Sequence, residues 1–261
     1  MSQEVEVTDD GGVRWIALNR PESKNGLTDA VNLAIIEALD GAAADKAIRS
    51  VVVTGKGGNF CSGLDLKAAA ASAGGLDNLE EHMRKYFHGL IRAVRRVEKP
   101  VVALVDGAAV GYGCDLALAC DLRIGTERTR FGEVFVKRGL MPDGGGTWTL
   151  PRLVGVGKAL EMMFTGDMVN ADEAHRLGLV TRVIPSAEAE QQTWDFARRL
   201  AAGPPLVHAW IKRAVYAAAS SSLDEALENE VRGQMQLLRS KDFFEGVAAF
   251  FQKRDPKFTG E

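Results

Sequence analysis

Two short aliphatic runs, Val51-Val52-Val53-Thr54 and Val101-Val102-Ala103-Leu104-Val105, bracket Leu79–Val97, a long segment patterned as an amphipathic helix. Runs this short, with no polar interruption, read as buried strands. The segment between them collects Arg and Lys towards its end, as a helix C-terminus prefers. An earlier run, Val13–Leu18, is apolar on both sides of its alternation and stops at Asn19-Arg20-Pro21, so it reads as a strand with two buried faces. Thr28 then caps a helix bearing Ala30, Leu33, Ile36 and Leu39. Val110–Ala119 reads as a helix and Leu122-Arg123-Ile124 as a further strand. Strands alternating with helices place the chain in the α/β class. After Pro185 the strand signals stop, and helical patterns continue, broken at Gly203-Pro204-Pro205 and restarted near Ser222. The expected organisation is a core over residues 1–200 and a helical region over 201–261.

Composition excludes several function classes. A formal net charge of −3 supplies no field for nucleic acid or an anionic membrane. No apolar run reaches the length of a membrane span, because Asp106 and Asp115 interrupt the most apolar stretch, Ala103–Ala119. The acidic N-terminus lacks the apolar segment of a signal peptide. Three cysteines, Cys61, Cys114 and Cys120, form no disulfide framework, which points to a reducing cytosol and a cytoplasmic protein. No metal-ligand spacing is present.

Three glycine-marked turns carry the candidate chemistry: Gly57-Gly58-Asn59-Phe60-Cys61-Ser62-Gly63-Leu64-Asp65-Leu66, Asp106-Gly107 through Gly111-Tyr112-Gly113-Cys114-Asp115, and Met141-Pro142-Asp143-Gly144-Gly145-Gly146-Thr147. Such turns expose backbone N–H groups, and two that converge form an oxyanion hole. Glycine turns also simply connect elements. Asp143, on a rigid turn before a helical pattern, is either an N-cap or a catalytic acid, and the turn alone leaves both readings open.

Together these segments, with Lys99-Pro100 and Cys120-Asp121, closely resemble the crotonase, or enoyl-CoA hydratase/isomerase, superfamily. The resemblance runs from Asn19-Arg20-Pro21 to the tail Lys253–Phe258, in the family's order and spacing. It implies a spiral of ββα units followed by C-terminal helices that build homotrimers, often paired as hexamers. It further implies an acyl-CoA substrate, with coenzyme A belonging to the substrate and no metal or redox cofactor. By position, the backbone N–H groups of Leu64 and Tyr112 would hold the thioester oxygen. The family usually has glycine at the second place, so the Tyr112 side chain has to point away or line the acyl pocket. Ser62, Asp65 and Leu66 match the segment whose backbone contacts the adenine, and Lys24 matches a position near the CoA phosphates.

The acids decide the reaction. Hydratases of the family hold water between two glutamates. Asp115 falls at the first of these positions and Phe135 at the second, and a phenyl ring cannot transfer a proton. Glu133 lies two residues earlier, on the same side if this segment is a strand. The Asp143 turn, followed by Gly-Gly-Thr-Trp and Leu150-Pro151-Arg152-Leu153, resembles the branch that includes the phenylacetate-pathway isomerases. There a single carboxylate moves a proton between two carbons, and Phe135 would be one apolar wall of its pocket. Asp115 is either catalytic or an acid that suits a helix start.

The other candidates are weaker. His82, His88, His175 and His208 lie on helical stretches with no clear acid partner. Cys61 and Cys114 read as small hydrophobes. Lys253, Arg254 and Lys257 either reach CoA phosphates or belong to a solvated tail. The small-residue stretch Ala68–Gly75 and the helix after it are the expected acyl-pocket wall. The leading expectation is an enoyl-CoA isomerase. A hydratase using Asp115 with Asp143 or Glu133, and a non-catalytic acyl-CoA binder, are the alternatives.

Overall fold

Apolar side chains on both faces of a strand require a sheet covered on both sides. A computed structural model, which describes residues 4–68 and 79–261, has that arrangement. The main sheet has the order β1-β2-β3-β4-β6-β9, with β1 Val5–Asp10, β2 Val13–Leu18, β3 Ser50–Gly55, β4 Val101–Val105, β6 Leu122–Thr126 and β9 Arg182–Ile184. Only the β1–β2 pair is antiparallel, and the remaining pairs are parallel. Side chains alternate between two cores. Ile16, Leu18, Val51, Val53, Val101, Ala103 and Val105 face the helices Asp29–Ala44, His88–Arg96 and Tyr112–Ala119. Trp15, Ala17, Val52, Val102 and Leu104 face the helix Ala189–Ala201.

A smaller sheet, β5-β7-β8, combines Ala108–Val110, Arg130–Gly132 and Val169–Asn170. The helix expected over Val110–Ala119 is therefore shorter at its start. Val110 ends β5, Gly111 turns the chain at φ 56°, and the helix runs Tyr112–Ala119. The expected single helix Leu79–Val97 is interrupted by a π-helical segment, Met83–Phe87, between Leu79–His82 and His88–Arg96. The Ala68–Gly75 stretch lies, apart from Ala68, outside the described residues.

The helix Ala189–Ala201 ends one residue past the boundary read at 200, and Gly203-Pro204 separates it from Pro205–Ala218. Ser222 caps Leu223–Leu237 with a full capping box through Glu225. Among the described residues no helix is long and apolar enough to cross a membrane.

Candidate active site

The first two glycine turns run side by side. The Cys61 N–H donates to the Ala108 carbonyl, and the Val110 N–H donates to the Cys61 carbonyl, both at 2.9 Å. At Gly63 the turns touch. A Cβ there would lie 2.8 Å from the Val110 carbonyl oxygen and 3.2 Å from the Tyr112 nitrogen, and the backbone sits at φ 89°. Only glycine allows that approach without displacing a neighbour. Leu64 follows directly and pairs with Leu27 through the flanking groups, the Leu27 N–H to the Gly63 carbonyl and the Asp65 N–H to the Leu27 carbonyl. Its own N–H is left without a partner among the described residues. Tyr112 is the first residue of its helix, and its N–H is one of the orphan donors of a helix start. Two unpaired N–H groups thus meet at Gly63, a geometry able to bind one oxygen atom that carries negative charge.

The Tyr112 side chain runs beneath the Asp143 turn, where its ring would meet a Cβ at Gly144 at 2.6 Å. Its hydroxyl donates to the Phe87 carbonyl at 2.7 Å. Burial, with the negative charges of Asp115 and Asp143 beside it, holds the phenol neutral.

Three carboxylates gather next to this pair of donors. Asp115 lies three residues after Tyr112 on the same helix, is 1% exposed, and accepts a 2.8 Å hydrogen bond from the Gly144 N–H through Oδ2. Glu133 is fully buried. Its side chain and that of Asp115 converge on Gly146, where a Cβ would lie 2.2 Å from Asp115 Oδ1 and 3.1 Å from Glu133 Oε1. Asp143 is half-buried, with Oδ1 unpartnered.

The N-cap reading of Asp143 fails. The helix starts at Gly146, and its cap is Gly145, in the left-handed region at φ 88°, with no side-chain bond. The strand reading of Glu133 and Phe135 fails as well. β7 ends at Gly132, and Val134–Arg138 is a 3-10 helix. That turn sends the Phe135 ring to Gly111, 3.9 Å from where a Cβ would be, while Glu133 reaches Asp115. Position 133, not 135, therefore places a second carboxyl beside Asp115.

Electrostatics separates the three acids. Burial, then the charge of Glu133, pushes Asp115 well above the usual carboxylate range, against the Gly144 N–H. Burial drives Glu133 to about 7, opposed by Cys114 and Asp115 and reinforced by Asp143. Burial raises Asp143 too, and the nearby His88 opposes it. No N–H or hydroxyl donor among the described residues reaches either Glu133 oxygen or Asp115 Oδ1, which leaves the Cys114 thiol and the acids' own protons to bond them. Cys61, driven to about 12, and Cys114, also raised, stay protonated and are poor nucleophiles.

Lys24, Ser62, Asp65 and Leu66 are brought into one neighbourhood. The Ser62 N–H donates to the Lys24 carbonyl at 3.0 Å, and the Ser62 hydroxyl to the Ser23 carbonyl at 2.9 Å. Asp65 accepts from the N–H groups of Lys67 and Ala68 and pairs with Arg20 at 3.0 Å. The Ala68 N–H, then Arg20, lower its pKa against the effect of burial. Lys24 and Leu66 are exposed at the edge of this cluster.

Two histidines have acid neighbours that sequence spacing hid. His82 Nε2 lies 2.8 Å from Asp29 Oδ2, and His88, at the start of its helix, acts on Asp143. In the tail, Arg254 is paired with Glu245 at 2.6 Å.

A family model described as "Enoyl-CoA hydratase/isomerase" matches residues 8–261. The chain is 42% identical to a "Probable enoyl-CoA hydratase" of Rhodobacter capsulatus, over 95% of both chains. It is 36% identical to the 1,2-epoxyphenylacetyl-CoA isomerase of Escherichia coli, over 96% of both. The crystal structure of an enoyl-CoA hydratase from Bacillus anthracis superposes with a TM-score of 0.94 at 32% identity, covering 99% of this chain and 100% of that one.

Proposed function

The chain belongs to the enoyl-CoA hydratase/isomerase (crotonase) family, and we propose that it isomerises an enoyl-CoA, with Asp143 shuttling the proton. The observation that carries this reading is exposure. Of the three clustered carboxylates, Asp115 and Glu133 are sealed, while Asp143 is half-buried beside the two free N–H groups. A group has to be reachable before it can move a substrate proton.

In this mechanism the thioester oxygen accepts hydrogen bonds from Leu64 and Tyr112. Lys24, Ser62, Asp65 and Leu66 lie along the CoA moiety. The Asp143 carboxylate takes a proton from C2 of a 3-enoyl-CoA, and the charge spreads as a dienolate onto the held oxygen. Asp143 then returns the same proton to C4, leaving a 2-enoyl-CoA. Each oxyanion donor contributes about 3 kcal/mol to such a step, and a positioned proton carrier about 10²–10⁴-fold. The raised proton affinity of Asp143 suits a group that has to take and give back one proton near neutrality. The proton balance closes without a metal or redox cofactor.

A second reading has its own support. Asp115 and Glu133 face each other, as a pair that grips water would, and the Rhodobacter capsulatus relative is named a hydratase. One experiment separates the readings. The protein is incubated with a 3-enoyl-CoA and with a 2-enoyl-CoA, beside Asp143→Asn. Rising conjugation absorbance with the first, abolished in Asp143→Asn, supports isomerisation. A 3-hydroxyacyl-CoA product from the second supports hydration. Thioester hydrolysis overturns both, and CoA binding without turnover of either identifies a binder.

Self-association as a trimer or hexamer is part of the proposal. Leu223 at 74%, Phe250 at 78% and Phe251 at 77% exposure leave the C-terminal helices with apolar side chains in water. A cytoplasmic location fits three free, buried cysteines.

A further inference from the structure

Glu133 is a buried titratable group that the proton shuttle does not use. Burying a carboxyl beside a second acid and a thiol is costly, so its presence calls for an account. The groups that act on it come from several elements. Cys114 and Asp115 belong to the Tyr112–Ala119 helix, Asp143 to the glycine turn, and Gly146 to the start of the next helix. The Tyr112 phenol adjoins Asp115 and Asp143, and the cation His88 acts on Asp143.

We propose that Glu133 is a charge-gating residue: with Asp115 it forms an acid pair behind the Asp143 turn that must be fully protonated for the donors at Gly63 to stabilise an enolate. This rests on the isomerase reading and deepens it.

Tyr112 supplies its donor from a helix N-terminus, and Asp115 sits in the first turn of that helix. A negative charge there opposes the positive end that the donor uses. A protonated Asp115 removes that opposition while keeping the Gly144 bond through its other oxygen. Glu133 sits where it can accept the Asp115 proton, across Gly146. When Glu133 ionises, the pair keeps one proton and carries one buried negative charge. An enolate must then form beside an anion in a site with little water. The turnover expected is a bell. Asp143 sets the acid limb, and the pair sets an alkaline limb near the value of about 7 that burial imposes on Glu133.

The test has two readouts. Difference infrared spectroscopy of the substrate-free protein is expected to show a protonated carboxyl band lost near pH 7, absent in Glu133→Gln and kept in Asp143→Asn. The pH profile of kcat with a 3-enoyl-CoA is expected to fall about tenfold per unit on its alkaline side. In Glu133→Gln, which copies the neutral acid, that limb is expected to vanish, so turnover persists above pH 8. A wild type without the titrating band overturns the gate. So does an alkaline limb that survives in Glu133→Gln, or a Glu133→Gln protein inactive at every pH, as a base acting on water would be. If no enoyl-CoA is isomerised at all, the isomerase reading fails and the gate fails with it, while a titrating band would still report the acid pair.

Discussion

The Gly144 N–H donates a 2.8 Å hydrogen bond to Asp115 Oδ2, and this bond ties the glycine turn to the helix that begins at Tyr112. The turn has no cap bond of its own at the start of the following helix. Its position therefore depends on a side chain from another element, and the Asp143 carboxylate stands one residue from the tie.

Asp115→Asn and Asp115→Ala are expected to separate cleanly. Asn still offers an oxygen to the Gly144 N–H and carries no charge, so folding stability should hold or rise. Ala leaves a buried N–H without an acceptor, at a cost of about 1–3 kcal/mol. Urea unfolding of the two variants at pH 7.5 checks this. Equal stabilities would show that the bond contributes nothing.

Gly63→Ala is expected to damage turnover far more than binding. The added methyl meets the Val110 carbonyl at 2.8 Å and the Tyr112 nitrogen at 3.2 Å, so the two donor turns must separate. Losing one oxyanion donor lowers kcat about 10²–10³-fold. CoA binding, which the proposed mechanism assigns to the Lys24–Leu66 neighbourhood, should change little by calorimetry. A variant with normal kcat would remove Leu64 and Tyr112 from the mechanism.

Stability is expected to fall as pH rises from about 4.5 to 7. Glu133 has its proton affinity raised by folding, from 4.5 to about 7, so the folded state holds a proton that the unfolded chain releases. That contribution is complete below the unfolded value and is lost as pH climbs through the folded one, about 3 kcal/mol in all. Asp115, also raised, acts in the same direction. Carboxylates lowered by their partners, such as Asp65 and Glu245, titrate at more acid pH, whereas burial lowers His208, which opposes the trend below 6.5 and does so equally in wild type and Glu133→Gln. Melting temperatures at pH 5, 6 and 7.5 should decline in the wild type and decline less in Glu133→Gln. Parallel curves would mean that Glu133 titrates no differently folded than unfolded.

What was legible in the sequence follows from range. The strands at Val51 and Val101, the cap at Thr28 and the restart at Ser222 are local patterns, and they stand where the residues say. The glycine turns were legible as turns because few other residues suit them. The meeting of Glu133 with Asp115 was not legible. It depends on β7 ending at Gly132 and a 3-10 turn carrying Phe135 aside, and neither leaves a periodic trace. His88 beside Asp143 was hidden for the same reason, since its approach follows a π-helical segment that a regular pattern does not announce.

Tyr112→Phe asks whether the main chain or the side chain of Tyr112 matters. The backbone N–H that meets Leu64 survives the change, as does the ring that fills the space under Gly144. What is lost is the 2.7 Å bond to the Phe87 carbonyl, which joins the donor helix to the end of the π-helical segment. Losing one buried hydrogen bond costs about 0.5–1.5 kcal/mol, so a lower melting temperature is expected. Turnover at saturating substrate should stay within about threefold, because an oxyanion donor's contribution rests on its placement and the helix start that places it is held by Gly111 and Cys61. A drop in kcat of about a hundredfold or more, with stability unchanged, would instead assign the phenol a part in the reaction and reverse this ordering of main chain over side chain.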